Sequence, residues 1–435
     1  MKDIFVHAGM WKTGTTSIQE TLYAPENIPI LNRNGYLYPR CLPANHSYFF
    51  YCAFNDHPEY YHENIRKGYS LQEIKEINEK NLSNLKREVE EARPDKLIFS
   101  AESIPTLTLD GLNRMKNYLE SNFGERVNIH LIVYVRNHLK WAVSDCQEKI
   151  KSGKSKEVAL YETIKGIRDV FSNFVGRVLK VFGEKAKVFS FDDAIKHPQG
   201  LVGHFLSIVG FSQKEISEFR IVRANESISL VAADIMSYVN EKMPLDVGGR
   251  IHERRYDGDY HALMRIRGPK FDLSNRDKQK VFENSQEDIR WLKENCGIDY
   301  SNAQLVFSEE ERVLFDEETI RDIETAYHYL SIPVKEVVLE YIQNQFYTRP
   351  HLRELYDKLS KDFAVERRFI DQLGIKETID RAEIYREIAL MLEHHNQIEQ
   401  AKMMMEKALM LRPHGPFIQA KIKEYEERLK IKGSA

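Results

Sequence analysis

The first seventeen residues constrain this chain more than any other stretch. They read Met1-Lys-Asp-Ile-Phe-Val-His-Ala-Gly-Met-Trp-Lys-Thr-Gly-Thr-Thr-Ser17. Ile4, Phe5, Val6 and Ala8 make a short apolar run bounded by Gly9, the pattern of a buried strand. The loop that follows holds Gly9, Lys12, Gly14 and the hydroxyls of Thr13, Thr15 and Thr16, and from Ser17 the apolar spacing turns helical at Ile18 and Leu22. A strand, a glycine-containing loop and a helix start together suit a phosphate. The first N–H groups of the helix lack intrahelical partners and carry partial positive charge, and Lys12 adds a full one.

Further along, apolar runs and helical spacings alternate. Helical patterns cover Leu71–Glu91, Leu112–Leu119, Leu139–Ile150 and Leu201–Val209, and strand patterns cover Lys96–Glu102, Val127–Val135 and Val188–Phe191. Strands alternating with helices predict an α/β fold with a parallel sheet flanked by helices. Ligands of such sheets sit at the carboxyl ends of the strands. Lys12, Glu102 and Arg136 each fall just past a predicted strand end, so three loops are expected to face one crevice. Residues 37–69 are rich in aromatics and histidine, and Asp246–Asn275 reads as a long loop over the site. An all-α extension follows. The expected division is a front domain of residues 1–305 and a helical region of 306–435. Within the latter, residues 382–413 resemble one tetratricopeptide unit, with Ala401 and Ala408 at the small positions and Pro413 as terminator.

With 435 residues, a formal net charge of −3, 42% hydrophobic and 30% charged residues, the chain has the balance of an ordinary globular protein. That balance gives no electrostatic reason to expect a nucleic-acid partner. The four cysteines contain no CxxC pair, which argues against a zinc site or a disulfide framework. No apolar run approaches the length of a membrane span, and no signal-peptide pattern precedes the first strand, so a cytoplasmic location is expected.

The order of residues in the first loop narrows the chemistry. A Walker A loop places its lysine after the second glycine, whereas here Lys12 precedes Gly14 in Lys12-Thr13-Gly14-Thr15-Thr16. That string resembles the 5′-phosphosulfate loop of sulfotransferases that use 3′-phosphoadenosine 5′-phosphosulfate (PAPS), enzymes with a P-loop-like fold. A second stretch, Arg136-Asn137-His138-Leu139-Lys140-Trp141-Ala142-Val143-Ser144, is similar to the family's 3′-phosphate motif R-N-P-x-D-x-x-x-S. It matches at Arg136, Asn137 and Ser144 and departs at His138 and Lys140. The segment Arg223-Ala-Asn-Glu-Ser227 also looks like an element of bacterial members, without an assigned role.

The resemblance covers about residues 1 to 300. It implies a sulfotransferase that binds PAPS through Lys12, Thr13, Gly14, Thr15, Thr16, Ser17, Arg136 and Ser144 and requires no metal. The acceptor it implies is a hydroxyl on a carbohydrate or glycolipid. The family places a histidine or a glutamate as general base in different branches, so His46 and Glu102 both stand as candidates beside Lys12, with His7, His57 and His62 behind them. Two other readings remain at this stage. One is a P-loop kinase, which needs the Walker A order. The other is a helical interaction protein whose C-terminal helices bind a partner or a second copy.

Overall fold

The computed structural model describes residues 2–123, 127–223, 227–247, 250–251, 255, 258–301, 314–373, 381–412 and 415–433. Three sequence expectations therefore fall partly outside the described residues: the centre of Arg223–Ser227, the boundary at 305/306, and Pro413.

A five-stranded, all-parallel sheet forms the centre of the first unit. Its strands are β1 (Asp3–Ala8), β2 (Tyr36–Leu37), β3 (Lys96–Ala101), β4 (Asn128–Val135) and β5 (Ala186–Ser190). They lie in the order β2-β3-β1-β4-β5. The register sets Val6 beside Phe99 and Leu131 on either side. Both faces are covered, which is why β1, β3 and β4 read as near-continuous apolar runs. On one face Phe5, Ile98, Ile132 and Tyr134 pack with Ile18 and Leu22 of α1 (Thr15–Tyr23) and with Phe205, Leu206 and Val209 of a helix spanning Gly200–Val209. On the other, Phe99 meets Phe50 of α2 (Ser47–Phe54) at 5.3 Å between ring centroids.

The longest predicted helix of this unit spans Leu71–Ala92 and starts at a capping box, in which Ser70 and Glu73 satisfy each other's backbone N–H groups. The helix Leu109–Asn122 is capped by the Thr108 hydroxyl. β4 runs into α3 (His138–Lys151), where Asn137 Oδ1 accepts from the N–H groups of Leu139 (3.0 Å) and Lys140 (3.3 Å).

The chain divides into two compact units by more than a single cut. The first comprises residues 1–146, 160–226 and 273–308, and the second 147–159, 227–272 and 309–435. The stretch expected to cover the site, Asp246–Asn275, thus belongs in its larger part to the second unit and not to the sheet's own. Its described parts include paired strands Asp246–Val247 and Arg250–Ile251 and a helix Asp259–Leu263. Asp259 is buried and accepts from the backbone N–H (2.6 Å) and hydroxyl (2.8 Å) of Ser331 at the start of the helix Ile332–Phe346.

The chain ends in three helices, Arg381–His394, Ile398–Leu411 and Pro416–Gly433. Ala389, Ala401 and Ala408 are fully buried between them, so the small residues sit where close helix packing needs them. The third helix supplies the cover that a lone helical hairpin lacks. Glu393 joins it to the first by accepting from Lys421 Nζ (2.9 Å), Tyr425 OH (2.8 Å) and Arg428 Nη1 (2.9 Å). Among the described residues no helix is long and apolar enough to cross a membrane.

Candidate functional site

Chain order makes β1 the switch strand: the chain leaves it toward β2 and β3 on one side and reaches β4 on the other. Crevices open at the carboxyl ends of parallel strands where connections diverge in this way. Here the loops that start at Gly9, Glu102 and Arg136 lie at three neighbouring strand ends.

The first loop is built for a tight approach. Lys12 (φ 64°) and Gly14 (φ 73°) both adopt left-handed backbone. The left-handed φ at Gly14 favours glycine, and an added Cβ would meet Leu201 Cδ2 at 2.6 Å. Thr13 is fully buried and its hydroxyl donates to Met10 O at 2.5 Å, closing the loop on itself. The N-terminus of α1 begins immediately after, at Thr15. Thr16 and Ser17 on its first turn are half-buried, as is Lys12.

Two contacts tie this loop to the neighbouring strand ends. Arg136, following β4, donates from Nη1 to Lys12 O at 2.8 Å. Thr15 donates its hydroxyl to Glu102 Oε1, following β3. A third tie comes from α3, where Trp141 Nε1 donates to Trp11 O at 3.1 Å. Ser144 lies half-buried one turn further along that helix.

Arg136 carries the clearest electrostatic signature. Its guanidinium lies 4.9 Å from the ring centroid of Phe191, and burial pushes its pKa down against the opposing pull of Asp192. Its Nε is buried without a hydrogen-bond partner among the described residues. A buried guanidinium with an unsatisfied N–H is costly unless an anion completes it. Asp192, which the sequence did not single out, organises the flank by accepting from Asn137 N (2.8 Å) and Lys140 Nζ (2.7 Å). The two departures from the family motif therefore have partners: Lys140 pairs with Asp192, and His138 Nε2 lies 2.8 Å from the buried Asp288. Asp288 also accepts from the N–H groups of Phe171 (3.0 Å) and Ser172 (2.7 Å) at the start of the helix Val170–Phe182.

Of the two candidate bases, only Glu102 borders open space. It lines a cavity of about 320 Å³ with the rings of Trp11, Tyr51, Tyr60 and Tyr61. His62, Asn45, Ser47, Ser103 and Thr106 supply its remaining polar lining. Ser47 fixes this corner: its Oγ accepts from Glu102 N (2.7 Å) and Ser103 N (3.2 Å) and donates to Asn45 Oδ1 (2.6 Å).

His46 is a correction. It is fully buried, stacked on Tyr38 at 4.5 Å and edge-on to Phe99 at 5.6 Å. Its Nδ1 accepts from Ser100 N (3.2 Å) and its Nε2 faces Pro39 O (3.4 Å), so neither nitrogen is presented to a substrate. The aromatic segment around it reads the same whether its rings stack on a ligand or on one another. His7 is likewise buried, with Nδ1 2.8 Å from Ser100 Oγ, and His57 is an exposed neighbour of Glu59 at 3.2 Å.

Burial pushes His7 and His46 each from 6.5 down to about 3. Both stay neutral in the folded chain where the unfolded chain has already bound a proton. Between about pH 6.5 and 3 the unfolded state holds more protons, so stability falls as pH drops through that window. Each histidine adds a slope of at most about 1.4 kcal/mol per pH unit. His46→Phe should remove its share of this slope in denaturant melts run across that pH window. A slope unchanged by the substitution would contradict a His46 that is buried neutral.

Comparison of the chain with protein-family models, with curated proteins and with solved structures gave no match.

Proposed function

We propose that the sheet and its first loop form a P-loop-like fold and that the protein is a PAPS-dependent sulfotransferase acting on a carbohydrate hydroxyl. The observation that carries this reading is the Lys12–Ser17 loop held against Arg136, whose buried Nε lacks a partner among the described residues. The lysine-before-glycine order favours it over a Walker A kinase. Lys12 and the first N–H groups of α1 take the 5′-phosphosulfate, and Arg136 with Ser144 takes the 3′-phosphate. Glu102 accepts the proton of the acceptor hydroxyl as its oxygen bonds to sulfur. The bond between sulfur and the bridging oxygen breaks, and the negative charge gathers on the departing phosphate, where Lys12 stabilises it. The transferred group is singly charged, so the reaction depends less on a metal than phosphoryl transfer from ATP does.

Arg136→Ala is the test of the donor site. In this reading the arginine holds the 3′-phosphate, remote from the sulfuryl group, through charge-assisted hydrogen bonds worth about 1.5–3 kcal/mol. The expected outcome is a donor KM raised roughly 10- to 150-fold with kcat spared, as for uniform binding. An unchanged donor KM with a collapsed kcat would contradict the role.

A further inference from the structure

Arg136 sits where β4 gives way to α3, and the chain on both sides of it is held by residues distant in sequence. Tyr300 is buried; its hydroxyl donates to Val135 O at 3.1 Å and lies 3.1 Å from Ser190 Oγ at the end of β5. Beyond the arginine, Asp192 Oδ2 accepts from Asn137 N at 2.8 Å, and His138 Nε2 meets Asp288 Oδ2 at 2.8 Å with both side chains fully buried. We propose that Tyr300 is a positioning residue of the donor site: it fixes the backbone that leads into Arg136, so that the guanidinium is set for the 3′-phosphate before the donor arrives. This rests on the sulfotransferase reading and adds to it a residue distant in sequence from both motifs.

Tyr300 reaches the strand end because the helix before it is anchored there. That helix spans Gln286–Cys296, and Asp288 lies on its first turn. Asp288 Oδ2 meets His138 Nε2 and accepts from Phe171 N, while its Oδ1 accepts from Ser172 N, so one carboxylate ties the helix both to α3 and to the start of Val170–Phe182. Gly297 ends the helix with a left-handed φ of 70° and turns the chain toward Tyr300. The rings of Phe171 and Tyr300 then stand edge-on to His138, at 5.0 and 6.4 Å between centroids. The family motif has proline at position 138, which is the first residue of α3 here. A proline at a helix start presets φ by itself. In this chain the His138–Asp288 pair supplies the restraint from a distant helix and brings the Tyr300 hydroxyl with it. Burial raises the pKa of Tyr300, so the hydroxyl keeps its proton and stays a donor at neutral pH. Burial pushes the Arg136 pKa down, and Asp192 and Tyr300 push it back up. An arginine fixed at its base gives up less freedom when an anion binds, which is how a supporting residue adds affinity without touching the ligand.

The test measures binding of 3′-phosphoadenosine 5′-phosphate (PAP) to the full chain, by ligand-observed NMR up to millimolar concentration. It compares the wild type, Tyr300→Phe, Arg136→Ala and the double variant. Tyr300→Phe keeps the ring against His138 and removes only the hydroxyl. The expected result is PAP binding weakened roughly 3- to 10-fold, the effect of one hydrogen bond, with the melting temperature lowered by no more than about 6 °C. In the Arg136→Ala background the same substitution should weaken PAP no further, because the side chain it positions is gone. A lowered melting temperature with wild-type PAP affinity marks a hydroxyl that only supports the fold and overturns the inference. An equal loss of PAP affinity in both backgrounds overturns it as well. A wild-type chain that binds no PAP overturns the donor reading instead, so the two failures are read separately.

Discussion

Glu102→Gln is expected to lower kcat by about 10²–10⁴-fold, the range for loss of a positioned general base. The substitution keeps the side chain's size and leaves a carbonyl oxygen to accept from the Thr15 hydroxyl, so the tie between β3 and the first loop persists. The Ser47 hydroxyl still receives the backbone N–H of residue 102, which holds the corner in place. PAP affinity and thermal stability should therefore change little while turnover collapses. The acidic limb of the pH–rate profile should vanish with the carboxylate. If the variant turns over at the wild-type rate at every pH, the base lies elsewhere.

Lys12→Ala should have a comparable effect through a different step. In the proposed reaction the lysine would meet charge that develops on the leaving phosphate, and removing one such electrostatic donor costs about 10²–10³-fold in kcat. Residue 12 has left-handed backbone, φ 64°, and alanine carries the same Cβ as lysine, so the loop's conformational cost is not increased. The Arg136 contact is to the backbone carbonyl of residue 12 and survives the change. Sulfated product measured by mass spectrometry with labelled donor should fall while the melting temperature holds. Sulfation unaffected by the loss of Lys12 would contradict its role, and a folded variant without sulfation would set enzyme apart from scaffold.

Much of the crevice was legible because its signals are local. The strands β1, β3 and β4 are buried on both faces and so read as apolar runs. The residues after them stand out as polar breaks at Lys12, Glu102 and Arg136. The left-handed turn at Gly14 is likewise written in the sequence, although its neighbour Leu201 is not. What stayed hidden depends on distant partners. His46 looked like a ligand-facing histidine because Phe99, which helps bury it, comes from another element. Two-residue β2 is too short for any periodicity to show. Trp11, Ser103 and Thr106 join the cavity only through the fold, and Asp192 and Asp288 become partners of Lys140 and His138 only across long sequence separations. The interleaving of two units is a property of contacts, which no single stretch records.

The most direct measurement is thermal unfolding of the full chain with PAP and, separately, with ATP and Mg²⁺. On the proposed reading PAP would satisfy the 5′-phosphate loop and Arg136 together, and a ligand at 100 times its Kd adds about 2.7 kcal/mol of stability. For a unit of this size the melting temperature should rise by roughly 2–4 °C per kcal/mol or slightly less. ATP has no 3′-phosphate and on that reading would leave the Arg136 guanidinium uncompleted, so its shift should be much smaller, with Mg²⁺ making little difference to either nucleotide. A larger shift with ATP and Mg²⁺ than with PAP would contradict the sulfotransferase reading and point to a kinase.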